Sequence, residues 1–161
     1  MSAPSSKGIP PKGLLRWFFR FPVWLYRLGL GGLMGKRFLL LNHLGRKTGK
    51  VRQAVLEVVR YDEQTGVYIV VSGYGERSQW AKNLLAHPDV TIQPGKSAIA
   101  VKAEPLSQQQ SGDEMVRYAH KYPHAARSLS KLMGFAVDGS DNGYRKIGER
   151  LLFFALVPAG S

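Results

Sequence analysis

Residues 51–72 read VRQAVLEVVRYDEQTGVYIVVS, and the fold is decided there. The run 51–61 is apolar and rich in β-branched residues, 62–66 has the chemistry of a tight turn, and 67–72 is a second short apolar run. Two such runs joined by a turn make an antiparallel hairpin. Upstream, 37–43 is another short apolar run, which extends the hairpin to a meander of three strands. Downstream, Ser78 reads as the N-cap of a short helix that ends near His87-Pro88, and strands at 90–93 and 97–104 flank a Pro94-Gly95 turn. Ser107 caps a helix running to Tyr122, and Pro123 opens another to about Met133. Residues 134–148 read as loop, and 151–157 is a closing strand. Six short strands with helices inserted late predict an α+β fold, mainly β: a small six-stranded barrel carrying an N-terminal amphipathic helix.

At 161 residues the chain is long enough for one self-supporting core, and its 44% apolar and 21% charged residues exclude wholesale disorder. It has no cysteine, which removes disulfide scaffolds, thiolate metal sites and cysteine nucleophiles together. The net charge of +12 is uneven: residues 1–60 hold twelve basic side chains against Glu57 alone, whereas residues 61–161 are nearly balanced. A cationic first third implies an anionic partner: a phosphate-bearing ligand, a nucleic acid or an anionic membrane surface.

Residues 1–13, rich in Ser, Pro, Gly and Lys, are expected to be a disordered leader, with 14–161 forming a single domain. The stretch 14–33 is aromatic, but Arg16, Arg20 and Arg27 interrupt it, leaving no uncharged run near the ~20 residues a bilayer span needs. At helical pitch the arginines share one side and Leu14, Phe18, Phe21 and Leu25 the other, with Pro22 as a kink. Such a helix either caps the core or lies in a membrane interface, with Trp17 and Trp24 at headgroup depth and Arg16, Arg20 and Arg27 on lipid phosphates. The corresponding location is cytoplasmic with peripheral membrane association.

Several motifs fail on spacing. Residues 45–50, Gly-Arg-Lys-Thr-Gly-Lys, have three residues between the glycines and Val51 after the lysine, so they are not a Walker loop. Gly73-Tyr74-Gly75 lacks the third glycine and the acid of a dinucleotide fingerprint. His120 and His124 have Pro123 between them and no further ligand on that helix, so no metal site is expected. There is no nucleophile elbow and no convincing carboxylate pair.

What remains is a loop between two strands carrying Arg46, Lys47, Lys50 and Arg52, and a second glycine-containing loop, 72–78, that ends at a helix N-terminus. Either alone is a solvated basic turn. Brought together at one barrel end, they would surround an anion with cations, backbone N–H groups and a helix dipole.

The ordered set Gly45-Arg46-Lys47-Thr48-Gly49 with Arg52, Val70-Val71-Ser72-Gly73-Tyr74-Gly75, Trp80, Asn83-Leu84 and His87-Pro88 resembles the deazaflavin-dependent nitroreductases, also described as F420-dependent quinone reductases. The likeness runs from about Trp17 to Val157 and includes Tyr122-Pro123. It implies a split β-barrel binding coenzyme F420, with the anionic tail held by Arg46, Lys47, Thr48, Gly49 and Arg52. It further implies that Ser72, Gly73, Tyr74 and Gly75 approach ring or phosphate by backbone, that Trp80 and Asn83 brace the loop, and that Tyr122 serves as proton donor or substrate contact. The family type carries a lysine where this chain has Gly73, with Arg77 as the substitute cation. The implied reaction is hydride transfer to a lipophilic acceptor such as a quinone or nitroaromatic compound, by a monomer or homodimer. Competing readings are a split barrel using FMN or haem, and a non-enzymatic basic module binding anionic lipid or nucleic acid.

Overall fold

The computed structural model describes residues 38–72, 78–132 and 134–160. The expected leader and the helix at 14–33, with Arg16, Trp17, Arg20, Trp24 and Arg27, lie outside the described residues.

The hairpin expected at 51–72 forms, with the strand expected before it alongside. β1 (Phe38–Leu44) pairs antiparallel with β2 (Val51–Asp62) in a register running from Phe38 opposite Glu57 to Leu44 opposite Val51. β2 turns at 63–66, where Asp62 Oδ1 accepts from Gln64 N–H at 2.9 Å, and returns as β3 (Val67–Ser72). A bulge between Val58 and Arg60 bends β2, as barrel closure requires of a twelve-residue strand. β4 (Asp89–Gln93), β5 (Ile99–Pro105) and β6 (Leu152–Pro158) complete a closed barrel in the order β1-β2-β3-β6-β5-β4, antiparallel throughout.

Strand alternation divides the apolar side chains between two cores. Leu39, Leu41, Leu56, Val58, Val70, Ile92, Val101, Phe154 and Leu156 point inward. Ala81 and Leu84 of α1 (Gln79–Ala86) join them, so this helix packs on the barrel core. The opposite parity of β2, β3 and β6 supplies Val59, Ile69, Phe153 and Ala155 to a second core on the outer face. That core is covered by α2 (Gln108–Lys121), α3 (Pro123–Leu132) and α4 (Asp141–Glu149). Ser107 caps α2 with a full capping box, its hydroxyl accepting from Gln110 N–H and Gln110 Oε1 accepting from Ser107 N–H.

The expected loop at 134–148 is corrected: its second half is α4. Gly143 and Gly148 and a stripe reduced to Tyr144 and Ile147 hide the helix from a periodicity reading. Its start is nevertheless explicit, since Ser140 Oγ accepts from Gly143 N–H at 2.9 Å and Asp141 sits in the first turn. Gly148 is needed for contact: a Cβ there would lie 2.6 Å from both Met115 Cβ and the Ser111 carbonyl oxygen, so α4 crosses α2 at glycine distance. Among the described residues, no helix is long and apolar enough to cross a membrane.

Candidate functional site

Leu44 and Val51 face each other in the β1–β2 register, which places residues 45–50 as a loop at one end of that hairpin. The loop closes on itself. Gly45 N–H donates to the Lys50 carbonyl and Gly49 N–H to the Gly45 carbonyl, each at 2.8 Å. Lys50 N–H donates to Thr48 Oγ1 at 3.2 Å, so the threonine hydroxyl shapes the loop. Gly49 has φ +71°, a left-handed value that a side chain would strain. Lys47, Lys50 and Arg52 are exposed, whereas Arg46 is half-buried.

Arg46 turns away from its neighbours toward α1. Its backbone N–H donates to Asn83 Oδ1 at 3.1 Å, and its Nη1 donates to the same oxygen at 2.9 Å and to Gln79 Oε1 at 3.0 Å. Gln79 and Asn83 are one helical turn apart and therefore present one face to the loop. The other end of the Asn83 amide lies 2.9 Å from His43 Nδ1. Both side chains are sealed from water, His43 at 4% and Asn83 at 2% exposure. Burial of the imidazole, seconded by the positive charge of Arg52 directly across the hairpin, pushes His43 down to about 4, so the ring is neutral at pH 7.

α1 begins at Ser78, which is buried and makes no side-chain cap bond, and its first turn carries no acid. The first N–H groups of that helix and its positive dipole end therefore accompany the loop's cations. Ser72 is buried at the end of β3, opposite Leu152. Gly73, Tyr74, Gly75 and Arg77 lie outside the described residues, while their flanks, Ser72 and Ser78, are both buried. Trp80 is half-buried against the barrel core, its ring centroid 5.8 Å from that of Phe154, which makes it a packing brace for α1. The structure thus joins Arg46 to Asn83 directly, with Lys47, Thr48, Gly49 and Arg52 on the same loop and strand.

Tyr122 belongs elsewhere. It caps α2, its ring lies 5.5 Å from that of Tyr118, and it packs into the outer core. Tyr118 in turn donates from its hydroxyl to Glu57 Oε2 at 2.6 Å. The residues missed by sequence reasoning are His43 and Gln79. Strand parity offered a signal for the first, since His43 shares its face with Leu39 and Leu41 and is the polar exception on an inward row.

A polyanion suits this donor set: three exposed cations, a loop with a glycine-permitted backbone and an uncapped helix start. The model of the F420H(2)-dependent quinone reductase family matches residues 18–130, a span holding β1 to β5, the loop, α1 and all of α2. The chain belongs to that family. A Mycobacterium tuberculosis protein named among the F420H(2)-dependent quinone reductases is 37% identical over 79 residues, 48% of this chain and 65% of that protein. The match therefore spans slightly under two thirds of the relative's length. Among solved structures, an F420-H2 dependent reductase is similar with a TM-score of 0.51 at 20% identity, covering 75% of this chain and 94% of its own. The haem storage protein HutZ of Vibrio cholerae is similar at 0.53 and 11% identity, covering 89% and 92%. Both likenesses show the barrel alone. A fold shared by a deazaflavin enzyme and a haem protein leaves the choice of cofactor to the site and the family.

Proposed function

We propose that the chain is an F420H2-dependent reductase that passes reducing equivalents to a lipophilic acceptor, a quinone or a nitroaromatic compound. The observation that supports this reading best is the division of labour among the loop's cations. Arg46 is held by Asn83 and Gln79, which leaves Lys47, Lys50 and Arg52 facing solvent from a loop of fixed shape. A loop whose backbone is already shaped leaves only its cationic side chains to be ordered when a multiply charged phosphate-and-glutamate tail binds. When bound, the reduced coenzyme supplies the hydride.

The chain's own work is to bind, orient and exclude water. Lys47, Lys50 and Arg52 hold the tail, and Arg46, through Asn83, sets where they stand. The segment 73–77 carries the ring-side backbone contacts, with Arg77 supplying the cation that Gly73 does not. The basic aromatic stretch 14–33 brings the barrel to a lipid surface, where lipophilic acceptors dissolve.

The test is a fluorescence titration of F420 with purified protein, followed by mixing the complex in its reduced form with a soluble quinone. Saturable quenching at micromolar concentration and reappearance of the oxidised deazaflavin absorbance are expected. No quenching at micromolar F420 would overturn the reading.

A further inference from the structure

The orientation of the Asn83 side chain can be deduced from its neighbours. The Arg46 backbone N–H and guanidinium are obligate donors, and both point at one atom of Asn83, at 3.1 and 2.9 Å. That atom must accept, so it is Oδ1, and the amide nitrogen necessarily faces the barrel interior. There it meets His43 Nδ1 at 2.9 Å. An amide nitrogen cannot accept, so Nδ1 must offer its lone pair and the ring proton must sit on Nε2. A proton on Nδ1 would set donor against donor, and the amide would have to turn over, presenting its NH2 group to Arg46.

We infer that His43 is a positioning residue for the cationic loop: by accepting from Asn83 Nδ2 it holds Oδ1 on Arg46 and so fixes where Lys47, Lys50 and Arg52 meet an anionic ligand. The inference rests on the tail site proposed above. The placement of the groups argues for it. His43 is one residue from the end of β1 and Asn83 lies on α1, so the imidazole–amide–arginine chain links barrel and helix to the loop through two buried side chains and the half-buried Arg46. Arg52 stands opposite His43 in the hairpin and is itself one of the exposed cations, so its charge bears on both the ring and the ligand. A hydrophobic side chain at position 43 would leave Nδ2 sealed without an acceptor, a state that buried amides escape by rotating or by admitting water. Either escape releases Oδ1 from Arg46.

Two measurements on His43→Phe and His43→Asn separate this from general packing. The first is hydrogen exchange at the Arg46 amide, which is held by Asn83 Oδ1 and needs no ligand to be read. In His43→Phe it should quicken about tenfold. In His43→Asn, whose oxygen falls near the former Nδ1, protection should return. The second compares F420 with the bare deazaflavin chromophore lacking phosphate and glutamate. His43→Phe should bind F420 about tenfold more weakly and the bare chromophore as the unmodified protein does, with the asparagine variant restoring F420 affinity.

Unchanged Arg46 exchange in His43→Phe overturns the inference, as does an equal loss of affinity for both ligands. Failure of the unmodified protein to bind F420 overturns the tail assignment instead, and the exchange result then decides the clamp by itself. Histidine 15N shifts of the unmodified protein give a reading independent of any variant: Nε2 protonated and Nδ1 bare supports the clamp, and the reverse tautomer contradicts it.

Discussion

Two polar networks fasten helices to this barrel, and they use charge in opposite ways. On the outer face, Glu114 of α2 is sealed at 7% side-chain exposure between Arg60 of β2, at 2.7 Å, and Arg117, at 3.0 Å. Its neighbour Asp113 pairs with Arg145 of α4. These pairs lie beside a hollow of about 430 Å³ whose lining mixes Asp62, Asp113 and Glu114 with Arg60 and Arg117. There the charge is spent on itself. Beside α1, Arg46 is satisfied by neutral amides, and among the described residues no carboxylate lies within salt-bridge distance of Lys47, Lys50 or Arg52. Among the described residues the loop thus presents cations that no carboxylate neutralises, the condition an anionic ligand needs, whereas the outer face cancels its own charge and ties α2 to β2 and α4.

The contrast is broken most directly from the structural side. Glu114→Ala leaves Arg60 two-thirds buried beside an apolar core without its carboxylate and should cost about 3 kcal/mol of unfolding free energy in urea titration, with F420 affinity unchanged. A fall in F420 affinity in that variant would show the two networks to be one. Acid acts next. His43 takes up a proton below pH 6.5 in the unfolded chain but only below about 4 in the fold, so protonation favours unfolding. Its contribution is fully present above pH 6.5 and is lost as the pH falls toward 4, about 3 kcal/mol in all. His43→Asn should lack that component, which the difference between the two stability-against-pH curves measures.

Much of this arrangement was legible in the sequence. The hairpin at 51–72, the six strands and the capped start at Ser107 follow from local rules, because alternation and capping are properties of neighbouring residues. The cationic loop was legible for the same reason. α4 was not, since Gly148 serves a contact with Met115 and Ser111 more than thirty positions away and lowers the local helical signal in doing so. His43 escaped notice because its meaning comes from Asn83, 40 residues on, and no local pattern joins them.

The ligand side gives the third test. Lys47→Ala with Arg52→Ala removes two of the exposed cations and should weaken F420 binding about a hundredfold, roughly 3 kcal/mol, while unfolding free energy stays within about 0.5 kcal/mol. Gly148→Ala has the smallest expected effect. Its methyl group meets backbone as well as Met115, so α4 must shift from α2 at a cost of about 2 kcal/mol, read as a lower melting temperature with F420 affinity retained.

All of the ligand-side expectations depend on the proposed seat of the coenzyme's anionic tail, the loop after β1. Amide chemical-shift mapping of the labelled protein during addition of F420 tests it without any substitution. Shifts should concentrate at Lys47, Thr48, Gly49, Lys50 and Arg52 and at the start of α1, Gln79 and Trp80. Shifts confined to the outer face around Arg60, Glu114 and Arg117, with the loop unmoved at saturation, would contradict it.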